Sequence, residues 1–95
     1  MFIVLLKFSD EKDQASLHMD AHLQWIKRGF DDGVFLMAGS LKPGLGGGII
    51  AHNCTPAELQ DRVNSDPFVF ENIVSAEILD FSPSKADQRL AFLVD

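Results

Sequence analysis

Apolar residues fill both alternating sets of the first segment: Phe2, Val4, Leu6 and Phe8 on one, Ile3 and Leu5 on the other. A half-exposed strand would carry polar residues on one set, so this pattern predicts a strand over Phe2–Phe8 with cover on both faces. Ser9-Asp10 opens the next element, and Asp10, Glu11 and Asp13 put negative charge where a helix dipole favours it. Lys12–Asp32 then reads as a helix. Met19, Leu23, Ile26 and Phe30 recur at steps of four, three and four and form its expected core stripe. His22 stands at the border of that stripe. Leu17, Ala21 and Trp25 make a weaker stripe on the side expected to turn away from the sheet, and Gly33 closes the helix.

Val34–Leu41 is a second strand, again apolar on both sets. Lys42–Gly47 is a loop and Gly48–Asn53 a third strand, so the pair is expected to form an antiparallel hairpin. Thr55-Pro56-Ala57-Glu58 has the form of a capping box with proline at the first helical position, starting a helix to about Asn64. Ile73–Phe81 is the fourth strand, partly exposed because Ser75, Glu77 and Asp80 interrupt it. Ser65 and Asp66 are N-cap types for a short turn of helix from Pro67, and Phe35, Phe68 and Phe70 read mainly as core.

The order strand, helix, strand, strand, helix, strand is the ferredoxin-like split βαβ pattern: an α+β fold with a four-stranded antiparallel sheet and two helices on one face. Two helices cover one face only. The apolar residues of the other face therefore predict a homodimer packed through the sheet faces. Residues 1–82 form this domain. Residues 83–95 are a tail whose Leu90, Phe92, Leu93 and Val94 are too apolar for a solvated end. The tail is expected to fold back onto a helix surface near Trp25, in its own subunit or the partner's.

Ninety-five residues make one domain, and 46% hydrophobic with 23% charged residues is an ordinary globular composition. A net charge of −6, with eight scattered Lys and Arg, argues against nucleic acid and against an anionic membrane surface. One cysteine, Cys54, allows no disulfide within the chain and no multi-cysteine metal site. The apolar N-terminus is short and lacks a preceding basic residue and a cleavage site, so a soluble cytoplasmic protein is expected.

Candidate chemistry centres on His22 and Asp66. Histidine titrates near neutrality and serves as acid or base, and a carboxylate within reach would fix its tautomer. The plain alternative is that His22 fills a core edge and Asp66 caps a turn. Gly39, Ser40 and Gly48 stand at strand ends, where backbone amides could hold an anionic oxygen. Phe68 would wall a pocket for a small-molecule ligand. The glycines at 44 and 46–48 are no nucleotide fingerprint, since Ile49 falls where the last glycine should be. His18 and His22 have a metal-compatible spacing but no third ligand, so neither metal nor cofactor is expected. His52 reads as a surface residue.

Ala21-His22-Leu23, Ala38-Gly39-Ser40 and Asp66-Pro67-Phe68, in this order of elements, resemble the YCII-related family of the dimeric α+β barrel group. The resemblance spans residues 1 to about 82. It implies a ferredoxin-like homodimer with His22 and Asp66 as a catalytic pair, and one member removes chloride from a chlorinated hydroxyhydroquinone. Ser40 departs from the Ala-Gly-Pro found in many relatives, and the tail has no counterpart. Two function classes follow. One is a cofactor-independent enzyme moving a proton on a small oxygenated, cyclic or aromatic compound, of isomerase, lyase or dehydrochlorinase type. The other is a ligand-binding or accessory dimer without turnover.

Overall fold

The computed structural model describes residues 1–94. Strand β1 (Phe2–Phe8) leads through a 3-10 turn at Lys12–Gln14 into helix α1 (Ala15–Asp31). Strands β2 (Phe35–Leu41) and β3 (Gly46–Ala51) form the hairpin, followed by α2 (Pro56–Asn64), the single turn α3 (Pro67–Phe70) and β4 (Val74–Asp80). The strands lie in the order β2-β3-β1-β4, and every neighbouring pair is antiparallel. This is the ferredoxin-like α+β fold, with an open sheet and its helices on one face.

Register assigns each strand residue to a face. Phe2, Val4 and Leu6 stand beside Ala51, Ile49 and Gly47 of β3 and beside Asp80, Ile78 and Ala76 of β4. Phe2, Val4, Leu6, Ile49, Ala51 and Val74 are buried under the helices together with Leu59 and Val63 of α2. The opposite face carries Ile3, Leu5, Ile50 and Leu79, and no described helix packs on it; Leu79 is 41% exposed.

A β-bulge between Phe35 and Met37 alters what β2 presents. One extra residue on a strand reverses the alternation beyond it. Phe35 faces the helices, and so do Ala38 and Ser40, which pair with Ile49 and Gly47. Met37 and Leu41 are thereby sent to the uncovered face, where Met37 is 63% exposed.

Helix α1 does not pack on its predicted stripe. Its buried residues are His22, Trp25 and Gly29, while Leu23 is 53% exposed and Met19 and Phe30 are also open. Two local fits account for the rotation. The Trp25 indole N–H donates to the Arg62 carbonyl at the end of α2 over 2.9 Å, which removes the cost of burying it. Gly29 lets the helix sit directly on Phe35, because a Cβ there would lie 2.1 Å from that ring. Trp25 is therefore a core residue, 1% exposed, and packs on Phe35 and the end of α2 instead of standing on the side turned away from the sheet.

The tail forms a 3-10 turn over Gln88–Leu93, with the Phe92 ring edge-on to His52 at 6.0 Å. Asp95 lies outside the described residues. Phe70 also departs from expectation. It shares a single turn of helix with buried Phe68, points the other way and is exposed. Among the described residues, no helix is long and apolar enough to cross a membrane.

Candidate functional site

Asp66 follows the end of α2 with an extended backbone, φ −62° and ψ 125°, as the residue before a proline should. Its side chain caps α3: Oδ1 accepts from the Phe68 N–H over 3.0 Å. The same oxygen accepts from His22 Nδ1 over 2.7 Å. Capping a turn and holding a histidine, set against each other as alternatives in the sequence, are thus performed by one atom. Asp66 is fully buried, and its Oδ2 has no hydrogen-bond partner among the described residues.

The imidazole is fixed in three ways. Asp66 holds one nitrogen, Phe68 lies flat against the ring at 3.9 Å and 4°, and Trp25 stacks more loosely at 5.9 Å and 24°. An ionised carboxylate only accepts, so with Asp66 ionised and the imidazole neutral the ring proton would sit on Nδ1 and leave Nε2 with its lone pair. Asp66 lies behind the ring. His22 itself lines a cavity of about 490 Å³ between α1 and the sheet.

The cavity exists because its floor is small. Ala38 and Ser40 of β2 and Gly47 of β3 occupy the helix-facing positions there, where larger side chains would have met α1. Its walls are Met19, Leu23, Ile26 and Phe30, the stripe assigned to the core from the sequence. Those residues are partly exposed because the cavity, not the sheet, lies beneath them.

Gly39, Ser40, Gly48 and Phe68 all line this cavity with His22, while Asp66 is not among the lining residues and touches the site through His22 and the Phe68 N–H. The oxyanion role expected of the Gly48 amide is not supported by the pairing. Strand β3 lies between β2 and β1, so its backbone groups are engaged in the ladder on either side. The roles of Ala38, Gly47 and the Met19–Phe30 stripe were missed in the sequence. The signal was there in a run of small residues at 38–40 and 46–48, facing each other across a hairpin.

Apart from His22 and Ser40, the lining side chains are apolar or absent, and none is charged. Such a space suits a compact, largely apolar ligand with few polar groups. Among the described residues no three His, Cys, Asp or Glu side chains come together as a metal would need. Cys54 lies in a separate hollow beside Trp25, Arg28 and Arg62. Burial and the neighbouring Glu58 carboxylate push its thiol up, away from the reactive thiolate.

No family model and no curated protein matches the chain. Among solved structures, the chain is similar to 5-chloro-2-hydroxyhydroquinone dehydrochlorinase from Burkholderia phenoliruptrix, in complex with 2,5-dihydroxybenzoquinone. The match has a TM-score of 0.69 at 14% identity and covers 86% of this chain and 94% of that one. At that identity the likeness is one of fold.

Proposed function

We propose that this chain is a cofactor-independent acid–base enzyme in which His22 Nε2 moves a proton on a small oxygenated ring compound held in the cavity. Asp66 fixes the tautomer and stabilises the imidazolium that forms when Nε2 takes the proton. His22 then returns that proton to a ring carbon, giving isomerisation, or a leaving group departs from the ring as the anion collapses. The observation that carries the reading is the 2.7 Å Nδ1–Oδ1 contact behind a ring that borders an uncharged cavity. The dehydrochlorinase of like fold, with its bound quinone, supports the choice of a cyclic oxygenated substrate.

The working unit in this reading is a homodimer. Met37, Ile50, Ile3 and Leu79 form an apolar row across the uncovered side of the sheet, with Leu5 and Leu41 on the same face and Glu77 beside Leu5. A second copy of the same surface, packed face to face, would cover it.

The test is proton exchange in D2O, followed by proton NMR on resorcinol, whose ring C–H positions exchange through enol–keto interconversion. The wild-type protein should accelerate loss of a ring C–H signal, and His22→Asn should remove at least a hundredfold of that acceleration. Equal rates with and without His22 would reject proton transfer. Binding without exchange would favour a ligand-binding dimer.

A further inference from the structure

The cavity has two polar side chains, and the function proposed above uses only one of them. Ser40 stands on the helix-facing side of β2, in register with Gly47, and lines the same space as His22. Ser40 is exposed at the side of the cavity, and its hydroxyl makes no hydrogen bond to another described residue, which leaves it open to water or to a ligand. Its position is a consequence of the β-bulge. Without the extra residue before Met37, the side chain of Ser40 would lie on the other face of the sheet.

No lysine or arginine reaches the cavity, and the chain as a whole carries a net charge of −6. A carboxylate or phosphate on the ligand would give up part of its hydration there without gaining a counter-charge. A neutral hydroxyl or carbonyl needs only one partner.

We infer that Ser40 is a specificity-determining residue, selecting an uncharged ring with two oxygen substituents, one at His22 Nε2 and the other at the Ser40 hydroxyl. This rests on the proposed use of His22. It adds a second contact point, which sets the spacing of the two oxygens and excludes anionic analogues. Serine can donate to a carbonyl or accept from a hydroxyl, so the site would hold a ring before and after a tautomeric change.

The probes are phenol, catechol, resorcinol, hydroquinone and 4-hydroxybenzoate, titrated against the full chain while the His22 imidazole signals are followed by nitrogen-15 NMR. One dihydroxybenzene isomer should bind roughly three- to tenfold more tightly than phenol, the range of one net hydrogen bond. 4-Hydroxybenzoate should bind more weakly than phenol. Ser40→Ala should level the preferred isomer with phenol, and Ser40→Thr, which keeps the hydroxyl, should restore the preference. Probes that perturb His22 but keep their ranking in Ser40→Ala would overturn the role of Ser40 and leave that of His22 intact. If no probe perturbs His22, both readings fall.

Discussion

One carboxylate oxygen joins the two halves of the candidate site. Asp66 Oδ1 ties His22 of α1 to the first turn of α3, so the histidine's position depends on where α3 begins. That link was readable because Asp-Pro-Phe carries its own geometry: proline fixes the turn, and aspartate before it is a cap. Trp25 was not readable in the same way. Its burial depends on the Arg62 carbonyl, which only the folded chain brings within 2.9 Å. The two functions of Asp66 separate by substitution. Asp66→Ala removes the cap and strands a buried histidine nitrogen, for an expected loss of about 2–4 kcal/mol. Asp66→Asn keeps a capping oxygen and should lose roughly 1 kcal/mol. Urea denaturation of both variants measures the difference; equal losses would mean that the cap contributes nothing.

At the level of elements, strand and helix order was legible and the faces were not. The apolar repeat of α1 was real, yet Met19, Leu23 and Phe30 wall a cavity while His22, Trp25 and Gly29 make the packing contact. A repeat identifies an apolar side, but it does not distinguish a side that meets a sheet from one that overhangs a space. The bulge in β2 was hidden for a related reason, since both alternating sets of that strand are apolar and neither phase looks wrong.

Helix α2 is the opposite case, because its start is written in Thr55-Pro56-Ala57-Glu58. Both reciprocal bonds of the capping box form, Thr55 N–H to Glu58 Oε1 at 2.8 Å and Glu58 N–H to Thr55 Oγ1 at 3.1 Å. Hydrogen bonds from Thr55 hold the Glu58 carboxyl below the usual carboxylate range. The folded state thus releases this proton more readily than the unfolded chain. Its contribution is present above the unfolded pKa and disappears as pH falls through the lower, folded one. Glu58→Gln should therefore be less stable than wild type near neutrality, and the gap should close on acidification. Thermal melts of the pair across pH would show it; a gap that widened in acid would contradict this origin.

For the whole molecule, a 95-residue chain whose open four-stranded sheet has its helices on one side leaves apolar residues exposed on the other face. The bulge enlarges that face by sending Met37 and Leu41 to it, as it empties the cavity on the other side. Light scattering should give twice the chain mass of 10.5 kDa. Met37→Glu with Leu79→Glu should give the single mass without unfolding, because both side chains are exposed in the protomer. An unchanged dimer in that double variant would place the interface elsewhere. The described residues of the tail do not line the cavity. Phe92 meets His52 just after Ala51, which pairs with Phe2, whereas the cavity is lined further along β1 by Leu6 and Phe8.

The central claim is that Asp66 holds His22 as the Nδ1–H tautomer and leaves Nε2 as the base facing the cavity. Long-range proton–nitrogen-15 NMR of the imidazole rings reads this directly, in wild type and in Asp66→Asn. The expected wild-type spectrum has a protonated Nδ1 and an unprotonated Nε2 for neutral His22. In Asp66→Asn, an amide able to donate should shift the population towards the other tautomer. A wild-type His22 with the proton on Nε2, or one whose tautomer ignores the Asp66 substitution, would contradict the pair.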